Sequence, residues 1–205
     1  MKERVFLIAV LLWIGWVPVT EAGMYLGLSA GHSEVEDLSL NAIDDGSLRS
    51  GAVDDANRTW KLILGYQIMP YLAVEASWMD HLLATQIDAV SDGTEHYGAG
   101  LVEAKGRTRG WTTEVLLMWP VLETVSVYGK AGAVRWESKS RLTNSAFGRV
   151  LSHRDGTDGI YGAGVRYRLH PRMTLQGEWQ RVSLKDADVN MDGDVFWGGL
   201  LIGLN

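Results

Sequence analysis

The 205-residue chain contains no cysteine, which excludes disulfides, thiolate metal sites and a lipid-modified N-terminal cysteine. It has only four prolines, Pro18, Pro70, Pro120 and Pro171, and none interrupts a stretch that alternates in polarity. The formal net charge is −6 and no run of Lys and Arg offsets it, which argues against nucleic acid as a partner. Beyond residue 22 no apolar run approaches the about 20 residues that a spanning helix needs. If the rest of the chain enters a membrane it does so as a closed β-barrel, the one strand architecture that satisfies every backbone group in lipid.

What is present begins with an export signal. Lys2 and Arg4 give a positive start, Val5 to Val17 is apolar, and Thr20-Glu21-Ala22 ends on a small residue. This predicts a signal peptide over 1–22, cleaved after Ala22, followed by one domain over 23–205.

Residues 58–78 read RTWKLILGYQIMPYLAVEASW. Trp60, Leu62, Leu64, Tyr66 and Ile68 alternate with Thr59, Lys61, Ile63, Gly65 and Gln67. After Met69-Pro70, Leu72, Val74, Ala76 and Trp78 alternate with Ala73, Glu75 and Ser77. Successive strand side chains point to opposite faces, so this is a hairpin with one apolar face, aromatic at its ends, and one small, polar or charged face. The pattern recurs and predicts strands over 24–33, 58–68, 71–80, 108–119, 125–136, 159–169, 174–182 and 194–204. Connections alternate between short (69–70, 120–124, 170–173) and long (34–57, 81–107, 137–158, 183–193). The fold expected is all-β: an eight-stranded antiparallel up-and-down transmembrane β-barrel in the outer membrane of a Gram-negative cell, with periplasmic turns and long acidic extracellular loops. Strands of about ten residues tilted near 40° rise roughly 25 Å, the height of the apolar band. Trp60, Trp78, Trp111, Trp136 and Trp179 toward the loop ends, and Trp119 and Tyr71 at the turn ends, would form the two aromatic girdles.

Strand parity turns Glu75, Glu114, Lys130, Arg166 and Glu178 inward on five strands, each about four to six residues above its turn. Lys61 lies slightly above this layer and Arg168 below. Buried charges are stable only when paired and hydrogen-bonded, so the expectation is a ring of interleaved pairs, with Glu178 against Lys130 or Arg166. Eight strands enclose just enough room for side chains to fill, so this network would plug the lumen. Arg109, Arg135 and Arg181 share outward parity near the outer-leaflet boundary, where they would contact lipopolysaccharide phosphates. Region 34–57 carries seven carboxylates against Arg49, either a plain solvated surface or part of a divalent-cation layer shared with those phosphates.

LGYQIMPYLAVEASW, VSVYGKAGAVRW and DGIYGAGVRYRLHPRMTLQGEWQRV resemble strands of the transmembrane-barrel family of outer-membrane protein A, and the resemblance spans residues 23–204 outside the loops. It implies that Glu75, Lys130 and Glu178 occupy the family's interior salt-bridge positions. Two departures stand out. Larger members add a periplasmic peptidoglycan-binding domain, and this sequence stops at Asn205, so the expectation is a barrel without that domain or a cell-wall tether. The final strand, DVFWGGLLIGLN, lacks the terminal aromatic that the family presents to the barrel-assembly machinery, with Leu204 in its place.

Site motifs are weak. Asp188-x-Asn190-x-Asp192-Gly193 copies half a calcium loop, but its twelfth position is Gly199 where a Glu is needed. His32, His81, His96 and His153 lack metal-site spacing on one element. His32-Ser33 and Ser152-His153 do not reproduce the spaced histidine–serine motif of lipid A deacylases, and Gly98-x-Gly100 is followed by Leu-Val-Glu and is no phosphate loop. No metal and no cofactor is expected. The function expected is that of a non-enzymatic outer-membrane barrel with a structural or surface-interaction role. The alternatives are a lipid A-modifying outer-membrane enzyme, a narrow gated channel, and a soluble lipocalin-type carrier, the last disfavoured by its inward charges. Expected partners are outer-membrane lipids and lipopolysaccharide, the barrel-assembly machinery during biogenesis, and an unidentified extracellular partner.

Overall fold

A computed structural model describes residues 23–35, 46–54, 57–80, 82, 84–94, 99–144, 148–186 and 189–204. They form ten strands: β1 (Gly23–Val35), β2 (Leu48–Asp54), β3 (Asn57–Met69), β4 (Leu72–Asp80), β5 (Ala84–Ser91), β6 (Gly100–Pro120), β7 (Val125–Asn144), β8 (Gly148–His170), β9 (Met173–Asp186) and β10 (Val189–Gly203). Eight of them, all but β2 and β5, pair antiparallel in a ring running β1-β3-β4-β6-β7-β8-β9-β10 and back to β1. The β1–β10 seam, Tyr25↔Gly203 to Val35↔Gly193, closes it, so the ring has no free edge at membrane height.

Burial follows the alternation read from the sequence. Leu26, Leu28, Leu62, Leu64, Val115, Leu117, Val165, Leu175 and Ile202 are exposed on the outside, while their neighbours Ser29, Lys61, Ile63, Glu114, Leu116, Arg166, Gln176 and Leu201 are buried within. An apolar outside around a partly charged inside inverts a soluble fold and suits lipid.

The long connections are not all loops. β6, β7 and β8 run for 21, 20 and 23 residues, about twice what the apolar band needs. Their upper halves continue as ladders, β6–β7 as far as Val102↔Asn144 and β7–β8 as far as Asn144↔Gly148. β5 pairs with the upper part of β6, and β2 with β5, so a five-stranded sheet, β2-β5-β6-β7-β8, stands above one wall of the barrel. Both of its faces lie outside the lipid, so a stretch such as Glu137-Ser-Lys-Ser-Arg does not alternate apolar with polar. Strand there leaves no two-residue signature.

Candidate functional site: the charged interior and the outer wall

Lys61, Glu75, Glu114, Lys130, Arg166 and Glu178 are all buried inside the ring, and the structure brings the six together. Three cations face three carboxylates. The Glu178 carboxylate is the hub: it accepts from Lys61 Nζ at 2.5 Å, Lys130 Nζ at 2.8 Å, Tyr128 hydroxyl at 2.7 Å and Gln176 Nε2 at 3.3 Å. Lys130 also reaches Glu114 at 3.0 Å, and Gln180 Nε2 donates to the other Glu114 oxygen at 2.7 Å. Arg166 turns away from Glu178 and pairs with Glu75 at 2.5 Å, its guanidinium lying 5.1 Å from the ring centres of both Tyr25 and Tyr128. Of the two cations expected for Glu178, Lys130 is a partner and Arg166 is not. Lys61, placed slightly above the layer by parity, is a direct partner. Glu75 and Glu114 stand directly opposite each other on β4 and β6, a like-charge pairing that is unfavourable unless each finds its own cation, as both do. Arg168 lies outside this set, exposed and donating to the Glu123 carbonyl at the turn end.

Apolar side chains bound the charged layer on both sides. Toward the turns lie Ala73, Leu116, Met118 and Tyr128. Toward the loop end Met79, Leu82, Val134, Trp136, Ile160, Val182, Leu184, Val195 and Trp197 form one buried cluster. The strand residues of this upper cluster share the inward parity of the charges, which is the signal that marks them in the sequence. One of its members, Trp136, corrects the girdle. Trp136 points inward and donates to Asp158 at 2.6 Å; Trp197, also inward, donates to Gln180 at 3.0 Å beneath the Lys61 ammonium. Apolar surroundings strengthen each ion pair and raise the penalty for an unpaired charge.

On the outside, Trp60 and Trp78 meet edge-to-face at 4.7 Å and Trp78 reaches Trp111 at 6.4 Å, while Tyr161 and Trp179 meet at 5.9 Å. Trp119, 62% exposed, marks the turn end of the same band. Just above Trp111, Arg109 pairs loosely with Glu137 at 3.7 Å, and Arg181 is held by Asp194 at 3.3 Å. Arg135, directly opposite Trp111, is exposed and has no ion-pair partner among the described residues. Glu137 also accepts from Lys139 at 2.9 Å; that hydrogen bond, with the nearby Arg109 and His153, holds its carboxyl below the usual carboxylate range.

The remaining motifs do not assemble. His32 and Ser33 fall on opposite faces of β1, exposed and buried respectively; Ser152 and His153, both exposed, are consecutive on β8 and so point to opposite faces of that strand, and neither pair is arranged as a nucleophile with its base. Asn190 and Asp192 lie within β10, in register with Lys185 and Ser183 of β9. Asp188, His81, His96, residues 36–45, 55 and 56 of the acidic 34–57 region, and residues 1–22 lie outside the described residues.

A profile of the OmpA-like transmembrane domain matches residues 19–192. The chain belongs to that family. Curated relatives include outer membrane protein A of Escherichia coli O157:H7, 22% identical over 88% of this chain and 47% of that protein. Outer membrane protein A of Serratia marcescens is 24% identical over 89% of this chain and 50% of that protein. The chain thus spans about half the length of the curated relatives it matches. Among solved structures, Ail, the attachment invasion locus protein of Yersinia pestis, in complex with the heparin analogue sucrose octasulfate, aligns with a TM-score of 0.56 at 19% identity, over 90% of this chain and all of that one. Neisserial surface protein A aligns with a TM-score of 0.55 at 12% identity, over 89% and 99% of the two chains. OprG from Pseudomonas aeruginosa aligns with a TM-score of 0.55 at 12% identity, over 90% and 97%. These structures share the fold, an outer-membrane barrel, and the family places this chain among outer-membrane proteins.

Proposed function

We propose that this OmpA-like protein is a non-enzymatic barrel with a closed lumen, working through its outer and extracellular surfaces. The observation that carries the reading is the layered interior. A neutral set of three cations and three carboxylates lies between buried apolar clusters, with Glu178 alone accepting from four side chains. A water path through it would have to break buried ion pairs and wet an apolar layer, two unfavourable steps in series. In this reading residues 1–22 are a cleaved export signal, residues 23–205 insert with the help of the barrel-assembly machinery, and Arg109, Arg135 and Arg181 bind phosphates of outer-leaflet lipopolysaccharide.

The test is electrical. Purified protein in planar bilayers should show no regular current steps, and Glu178→Ala should admit current if the charged layer is the seal. Well-resolved steps from the unaltered protein would overturn the closed reading in favour of the narrow channel. The lipid contact has its own readout: replacing Arg109, Arg135 and Arg181 together with Gln should lower lipopolysaccharide co-purification at low salt, with most of the effect from Arg135, which alone of the three has no ion-paired carboxylate among the described residues.

A further inference from the structure

Although the sequence has no basic run, the fold assembles a basic surface from three strands. Odd-numbered residues of β6, β7 and the upper part of β8 share the outward face, and their register stacks them in rows. Trp111 stands opposite Arg135, Arg109 opposite Glu137, Arg107 opposite Lys139, and Lys105 opposite Arg141. Two successive rows therefore set like charges side by side, which disfavours the ladder by itself. Arg107 and Lys139 are relieved by Asp80 and Glu137. The upper row is relieved less well: Lys105 has only Glu103 of its own strand, and neither Arg141 nor the adjacent Arg149 has an ion-pair partner among the described residues. Lys105, Arg141 and Arg149, with Glu103 and Thr143, line a shallow hollow of about 150 Å³.

From these rows we infer that the Lys105–Arg141–Arg149 hollow binds phosphate groups of the core oligosaccharide of a lipopolysaccharide molecule seated against the β6–β7 wall. Three cations converging on one small open space suit a multiply charged oxyanion, which would supply the missing counter-charge through charge-assisted hydrogen bonds. The source of the anion follows from position. The Lys105/Arg141 row lies six residues beyond Trp111/Arg135, about 20 Å along the strand and roughly 15 Å in height at barrel tilt. That is beyond the lipid boundary where Trp111 sits and within reach of sugars carried by a lipid anchored there. The rows between are continuous, so one glycolipid would run from the tryptophans past Arg135 to the hollow. The assignment rests on the reading that Arg109 and Arg135 lie at the lipid boundary.

The test uses the full-length protein in detergent, folded as judged by its shifted mobility in unboiled gels, and three probes: lipopolysaccharide with a phosphorylated core, lipopolysaccharide truncated to lipid A and its first sugars, and sucrose octasulfate. K105Q/R141Q/R149Q should weaken binding of the phosphorylated-core form by about tenfold or more at low salt and leave the truncated form unchanged. R109Q/R135Q should weaken both. Equal binding of the phosphorylated core by the triple variant and the unaltered protein would overturn the inference while leaving the boundary reading intact. If R109Q/R135Q changed nothing, the boundary reading would fall separately. If sucrose octasulfate bound as tightly as the phosphorylated core and lost as much in the triple variant, the hollow would be a receptor for a soluble polyanion, and its assignment to a lipid-borne one would be wrong.

Discussion

Removing Glu178 tests the interior most directly. In Glu178→Ala, Lys61 loses its only carboxylate within ion-pair distance among the described residues and keeps the Trp197 ring at 4.5 Å, whereas Lys130 retains Glu114 at 3.0 Å. Tyr128 loses its hydrogen-bond acceptor. One fully orphaned buried cation corresponds to about 3–5 kcal/mol and one unsatisfied hydroxyl to about 1 kcal/mol more, so the loss should be about 4–6 kcal/mol. Glu34→Ala, in an exposed pair with His32, should change stability by about 0–1 kcal/mol. Reversible urea unfolding in lipid vesicles, followed by tryptophan fluorescence and gel mobility, measures both. The cause is separable from the size. Lys61→Met combined with Glu178→Leu removes the pair whole, leaves Lys130 with Glu114 and Arg166 with Glu75, and should recover most of the loss. Exchanging charges instead, Lys130→Glu with Glu178→Lys, should recover little, because Lys61 would face a second ammonium and Glu114 a second carboxylate. If Glu178→Ala proved as mild as Glu34→Ala, the account of a dry, paired interior would be wrong.

Glu75→Ala should be milder than Glu178→Ala in the same assay, by more than about 1 kcal/mol, because Arg166 keeps Gln176 and two aromatic rings and the opposition to Glu114 disappears. Gly65→Ala would set a methyl group into the Tyr25 ring; displacing that ring from Glu75 and Arg166 should lower stability by about 1–3 kcal/mol, and the companion variant Tyr25→Ala should relieve the clash. Mass measurement of the chain purified from outer membranes should find Gly23 at its start; a folded, membrane-embedded form retaining Met1 to Ala22 would refute the signal-peptide reading.

The eight barrel strands were legible because each has lipid on one side and a polar interior on the other, so every second residue reports its face. The six interior charges were legible for the same reason. Their pairing was not. Parity and distance from the turn give the height of a side chain on its strand but not its bearing around the ring, and bearing decides that Arg166 meets Glu75 while Lys61 meets Glu178. Trp136 departs from the expected girdle because it carries the inward parity of its strand, which outweighs its place near the loop end. The upper sheet is harder to read because lipid touches neither side of it: Ile87, Ala89 and Val102 are buried, but the upper parts of β7 and β8 are mostly exposed and mix charged with apolar side chains on one face. The basic hollow was hidden too, for its three cations are separated by up to 44 positions in the chain and meet only through register.

The charged layer also bears on how the chain finds its correct pairing. A strand that slips by two residues keeps every apolar side chain facing lipid, so the membrane does not penalise the error. The same slip carries each charge about 6–7 Å along its neighbour, out of reach of a partner now at 2.5–3.0 Å. Because Lys61 and Glu178 are 117 positions apart and Glu75 and Arg166 are 91 apart, these contacts are made only when distant parts of the sheet have curled together in the proper frame. The six buried charges thus act as a proofreading code: hydrophobicity decides which way each strand faces, and the ion pairs decide which rung it stops on.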